Sequence, residues 1–171
     1  MMKLVRLMIA AVMLVTCAAA QQMNSVVQPS PEFEKLKTLA GDWEGTAMES
    51  GKAIKALTSF KVVSDGSAVI NRLDPDSPNE MITMFHPDGK DLMATHYCSA
   101  HNQPRLRAVA SNDPKAILFE FKDATNLASP KDGHMDHLKI LMIDPDHHIQ
   151  EWTYVENGKQ ETGRFEFHRK K

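Results

Sequence analysis

Residues 147–168, HHIQEWTYVENGKQETGRFEFH, decide how this chain folds. Two runs rich in apolar, aromatic and β-branched side chains, 147–156 and 160–168, flank Asn157-Gly158. An Asn-Gly pair between alternating runs favours a two-residue turn, because both positions tolerate positive φ and the turn's twist matches antiparallel strands. The stretch reads as a β-hairpin. Alternation puts Trp152 and Tyr154 on one face, and Ile149, Glu151 and Thr153 on the other.

Working back towards the N-terminus, the same period of two recurs. From Gly41, Trp43, Gly45 and Ala47 alternate with Asp42, Glu44 and Thr46, and further runs lie at 54–63, 67–73, 79–86, 91–98, 104–111, 115–122 and 134–143. With the hairpin this makes ten candidate strands. Asp65-Gly66, Pro87-Asp88-Gly89 and Asp144-Pro145-Asp146 supply turn chemistry between them. Such short breaks join antiparallel neighbours, since parallel strands need long crossovers. The pattern predicts an all-β, up-and-down antiparallel barrel of about ten strands, a closure that leaves no exposed edge. The longest break, DATNLASPKDG at 123–133, is expected to cap one end. One short helix precedes the barrel. Ser30 is its N-cap, Pro31 its first residue and Glu32 lies in its first turn, while Phe33, Leu36 and Leu39 share a face that ends by Gly41.

A length of 171 residues is enough for one domain with a core, and 42% hydrophobic with 25% charged residues is a globular composition. The start of the chain differs. Lys3 and Arg6 precede an unbroken apolar run from Leu7 to Val15, and Ala18-Ala19-Ala20 offers a cleavage site before Gln21. This predicts a signal peptide over 1–20, a flexible lead-in over 21–31 and a single barrel domain over 32–171, exported to the periplasm or secreted. The apolar run is too short for a membrane span. Leu14-Val15-Thr16-Cys17 loosely matches a lipobox, so a lipid anchor at Cys17 is the alternative, disfavoured by the bulk of Thr16. Cleavage leaves 18 basic against 22 acidic side chains, a net charge of −4. That balance argues against nucleic acid, which requires a concentrated basic face. It also leaves Cys98 without a partner for an intramolecular disulfide.

Gly41-Asp42-Trp43, opening the first strand after a short helix, is similar to the G-x-W arrangement of lipocalins and their calycin relatives. Further stretches carry a resemblance over nearly all of the chain after the leader. They are Met84-Phe85-His86-Pro87-Asp88-Gly89, Thr95-His96-Tyr97-Cys98, Asn102-Gln103-Pro104-Arg105, Asp123-Ala124-Thr125-Asn126-Leu127, Gly133-His134-Met135, and Glu151-Trp152-Thr153 through Glu156-Asn157-Gly158-Lys159. They resemble a family of exported bacterial proteins of unknown function. That resemblance implies a calycin-type barrel similar to lipocalins, fatty-acid-binding proteins and nitrobindin, and no established reaction. It also implies an arginine from a late strand lying over Trp43, for which Arg164 is the candidate. Haem binding of the nitrobindin type needs a proximal histidine, and no motif here matches one. No cofactor is implied.

Several residues carry chemistry. His96 and Cys98 share a strand face and His101 follows in a turn, which is a possible metal-ligand set or a thiol with its base. The competing view, favoured by residue type, is a buried cysteine beside a hydrogen-bonded histidine. His134 and Asp136 share a face, whereas His137 points away from His134 unless a bulge intervenes. His147 and His148 diverge and form no chelating pair. Glu151 facing inward would have a raised pKa and could serve as a base. Facing outward, it leaves Trp152 and Tyr154 in the core. Arg105 and Arg107 share a face suited to a carboxylate. No G-x-S-x-G, C-x-x-C, H-E-x-x-H or phosphate-cradling loop is present.

The expectation is a non-enzymatic binder of a small amphipathic or carboxylate ligand inside the barrel. Phe60, Ile82, Met84, Phe119 and Phe121 would form its apolar wall. Thr95, His96, Tyr97, Gln103, Arg105, His137 and Glu151 would supply polar contacts. The alternatives are a hydrolase or isomerase using His96 or Glu151 as base, and a metal or haem site through His96, Cys98 and His101.

Overall fold

The structure is a computed structural model and describes residues 28–49 and 52–171. The expected leader, Cys17 and the lead-in before residue 28 lie outside these residues. Among the described residues no helix is long and apolar enough to cross a membrane.

Helix α1 (Pro31–Lys37) begins as its sequence dictates. Ser30 Oγ accepts the Phe33 amide at 3.2 Å, Pro31 needs no amide partner, and Glu32 and Glu34 lie at the positive end of the dipole. Ten strands follow: β1 (Gly41–Glu49), β2 (Lys52–Val63), β3 (Ala68–Leu73), β4 (Met81–Asp88), β5 (Asp91–Tyr97), β6 (Gln103–Val109), β7 (Ala116–Thr125), β8 (His134–Asp144), β9 (His147–Glu156) and β10 (Lys159–Arg169). Each pairs antiparallel with the next, and β10 returns to pair with β1, so the sheet closes into an all-β barrel. Asn157 and Gly158 take φ of 51° and 75°, the positive values that make this pair a hairpin turn.

Helix α1 plugs one end. Phe33, Leu36 and Leu39 are buried against the core, and Trp43 Nε1 donates to the Leu39 carbonyl at 2.8 Å. The cation over Trp43 is Arg169, not Arg164, with its guanidinium 4.2 Å from the ring centroid. Strand parity explains this correction. Trp43 stands opposite Arg169 in the β1–β10 ladder. Arg164, an odd number of residues away, faces outward and pairs with Glu151 at 2.7 Å. Arg169 also donates to the carbonyls of Ala40, Thr38 and Pro145, which binds the helix exit and the β8–β9 turn to the plugged end.

The barrel interior mixes apolar with polar side chains. Phe60, Phe85, Leu106, Phe119, Leu138, Ile140 and Phe167 are buried in it. So are Thr58, Asn71, Thr83, His96, His148 and Gln150. Phe60 and Phe119 are thus where the sequence placed them. Ile82 and Met84 are not, because the inward residues of β4 are Thr83 and Phe85, and Ile82 and Met84 face out opposite Tyr97 and Thr95.

Candidate functional site

The end opposite α1 is open. Here β4 begins, β5 ends in the Cys98–Asn102 turn, and the β9–β10 hairpin turns. Met81, Met135, Trp152, Tyr154 and Phe165, with Cys98 and Glu161, line a pocket of about 490 Å³. The 126–133 connection joins this rim. Asn102 Nδ2 donates to the Gly133 carbonyl at 2.8 Å, Asn126 donates to the His101 carbonyl, and the Asn157 amide donates to the Lys131 carbonyl at 2.9 Å.

Behind the pocket runs a buried polar line supplied by alternate residues of β9. Trp152 Nε1 donates to Gln150 Oε1 at 3.1 Å, which fixes the amide so that its Nε2 donates to His148 Nε2 at 3.3 Å. His148 is therefore the neutral tautomer protonated on Nδ1. Burial, reinforced by electrostatic repulsion from His147, Arg169 and His168, pushes its pKa down to about 3. It packs edge-on against Trp43 at 4.4 Å and stacks on Phe167 at 5.2 Å, deep in the plugged half.

His96 sits nearer the mouth. Its ring lies 4.6 Å from that of Trp152, and its Nδ1 is 2.9 Å from Thr83 Oγ1. Burial pushes its pKa down to about 4, so the ring is neutral at pH 7. Among the described residues its Nε2 has no partner, and neither do Asn102 Oδ1 at the rim and His148 Nδ1 deeper in. Buried polar atoms without partners are uncommon and costly, and they mark places where a further group completes the bonding.

Of the seven residues expected to contact a ligand, His96 alone lies inside the barrel. Thr95 and Tyr97 alternate with it and face outward, Tyr97 being 52% exposed. Gln103 Oε1 accepts from Thr125 at 2.8 Å on the outer face, and Arg105 is clamped by Asp123 through two hydrogen bonds. His137 and Glu151 both line an outer groove of about 410 Å³ that runs across β6–β10. Burial alone would raise the Glu151 carboxyl. The hydrogen bonds and charges of Lys139 and Arg164 outweigh it and hold the pKa below the usual value. His96 and Glu151 therefore stand on opposite sides of the wall and share no chemistry. A bulge between Met135 and His137 brings the His137 ring to 2.6 Å from Asp136. Among the described residues, His96, Cys98 and His101 do not converge as a ligand set.

From the sequence, His148 reads as an exposed turn exit and Gln150 and Thr83 carry no signal of their own, whereas all three are buried in the barrel. The first two were legible in principle, since they are two and four residues before Trp152 and share its face. Thr83 was hidden because both faces of β4 carry apolar side chains.

Fold and site together define a closed ten-stranded antiparallel barrel, plugged by a helix at one end and open at the other. No protein-family model and no curated protein matches the sequence. Solved structures do match the fold. The crystal structure of Rv2717c from M. tuberculosis is similar over 84% of this chain and 100% of its own, with a TM-score of 0.54 and 15% identity. A protein of unknown function from the DUF3598 family of Nostoc punctiforme is similar over 79% of this chain and 49% of its own, with a TM-score of 0.50 and 9% identity. At these identities the likeness is one of fold alone.

Proposed function

We propose that the protein is a binder of one small amphipathic molecule at the open end of the barrel, not an enzyme. A single observation carries this reading: a largely apolar pocket of about 490 Å³ with an unpartnered, buried His96 Nε2 behind its Trp152 wall. Such a pocket takes an apolar body, and a few polar groups orient it. The ligand's polar end would meet Asn102 Oδ1 and the Tyr154 hydroxyl at the rim, or reach past Trp152 to His96. Among the described residues no arginine or lysine lines the pocket, and Glu161 does. The reading therefore favours a neutral amphipathic ligand over a carboxylate. It also retains the calycin-like kinship and export through residues 1–20, which rest on the sequence motifs.

Native mass spectrometry of the untagged protein, recovered from its own host, tests the reading. The expected result is one co-purifying organic molecule per chain, and saturable uptake of the neutral probe N-phenylnaphthylamine by the stripped protein. Gly163→Leu, which fills the pocket from β10, should abolish both. A bare chain that takes up no probe, or uptake unchanged in Gly163→Leu, would overturn it. The same preparation reports export, since N-terminal sequencing would begin at Gln21.

A further inference from the structure

At the plugged end, on the outside of the wall, the described residues hold one cluster whose nitrogen and oxygen donors converge. His147, Glu166 and His168 each offer an atom within 4.8 Å of the other two. The sheet itself builds this arrangement. His147 and His168 stand directly opposite each other in the β9–β10 ladder, where facing Cβ atoms are roughly 5 Å apart. Glu166 is two residues before His168 and shares its face. The imidazoles stack at 4.3 Å between centroids, and His147 Nε2 lies 2.9 Å from Glu166 Oε1. The other Glu166 oxygen lies 3.8 Å from Arg164, which leaves Oε1 turned towards the histidines. Across the neighbouring ladder, Glu44 of β1 stands opposite His168 on the same outer face.

We propose that His147, Glu166 and His168 bind one divalent transition-metal ion of the zinc class on the outer face of the barrel. Two imidazoles and a carboxylate are the donor set of zinc and its first-row neighbours, whereas magnesium and calcium take shells of oxygen. Donors around a tetrahedral ion with bonds of about 2.0–2.2 Å are roughly 3.3 Å apart. Partly exposed side chains reach that spacing by rotation, with the strands held where they are. Water completes the shell. The ion ties β9 to β10 beside the β1–β10 seam that closes the barrel, so it stabilises the folded chain by binding it in preference to the unfolded one. This site lies across the wall and at the other end from the mouth, and it stands independently of the ligand there.

Isothermal titration of the untagged protein with zinc chloride at neutral pH is the test, with cobalt absorbance as the geometric readout. The expected result is one zinc per chain, a raised thermal midpoint, and cobalt bands typical of a four- or five-coordinate nitrogen–oxygen site. His168→Ala and Glu166→Gln should each weaken uptake by at least about tenfold, the loss that removal of even an outlying partner can bring. His147→Gln serves as the second variant should the first alter the circular dichroism. His137→Ala, in the outer groove, should leave uptake unchanged. No zinc uptake, uptake that survives all three site variants, or uptake lost in His137→Ala would overturn the proposal.

Discussion

His96 holds a neutral imidazole where water does not reach it, and this makes the fold sensitive to acid. In the unfolded chain the ring takes up a proton near pH 6.5, whereas the native ring stays neutral down to about 4. Between those values the unfolded state binds more protons, so stability present above pH 6.5 is lost as pH falls towards 4. At pH 5.5 the loss from this residue is about 1 kcal/mol. Urea unfolding should show a lower midpoint at pH 5.5 than at pH 7, with a smaller difference in His96→Gln. Equal differences in both proteins would place His96 in contact with water. Arg169 gives a second check at this scale. Replacing it with Ala removes the cation over Trp43 and several carbonyl contacts, a loss of about 2–3 kcal/mol. Arg164→Ala breaks surface ion pairs with Glu151 and Glu166 and should cost under about 1 kcal/mol. Denaturation midpoints that rank the two the other way would return Arg164 to the position over Trp43.

At the level of elements, two glycines separate wall from rim. A Cβ at Gly45 would lie 1.8 Å from the Glu166 carbonyl oxygen, so Gly45→Ala pushes β1 off β10 at the closing seam. Its expected cost is about 2–3 kcal/mol, as for overpacking that moves backbone. A Cβ at Gly133 would meet side chains and no backbone: the Tyr154 hydroxyl at 1.6 Å, its Cζ at 2.5 Å and Glu156 Oε1 at 3.3 Å, all at far ends that can shift. Gly133→Ala should cost under about 1 kcal/mol, and thermal unfolding of the two variants compares them directly. The plug is the second element-scale prediction. Phe33→Ala opens a cavity between helix and barrel and should cost about 3–5 kcal/mol by urea titration. A loss under about 1 kcal/mol would mean that α1 rests on the barrel without sealing it. The strands themselves were legible because Asn157-Gly158, Pro87-Asp88-Gly89 and Asp144-Pro145-Asp146 mark their ends. The last turn of β7 was not: the sequence places Asp123 in the connection, and pairing with Arg105 draws it into the strand.

For the whole molecule, the two tryptophans report on opposite ends. Trp43 lies under the helix and Trp152 lines the mouth. A ligand that enters the pocket should shift the emission of the Trp43→Phe variant, in which Trp152 alone reports. It should leave the Trp152→Phe variant unchanged. A shift confined to the latter would move the binding site to the plugged end.

The amino-acid sequence by itself determined the ten strands, their antiparallel order, the helix before them and the need to close. Those features follow from a period of two, turn residues and short connections, all of them local. Only the tertiary structure decided which face of each strand turns inward. On β5, Leu92, Met93 and Ala94 are all buried. The outward Met93 is covered by its cross-strand neighbours His86 and Arg107. Alternation of apolar and polar side chains therefore carries no sign there. Closure supplies it, because the register that pairs Trp43 with Arg169 carries the parity from strand to strand around the barrel, shifted only where bulges interrupt the ladders. That parity puts His96 inside, turns Thr95, Tyr97, Arg105 and Glu151 outward, and brings His147, Glu166 and His168 together on the outer wall.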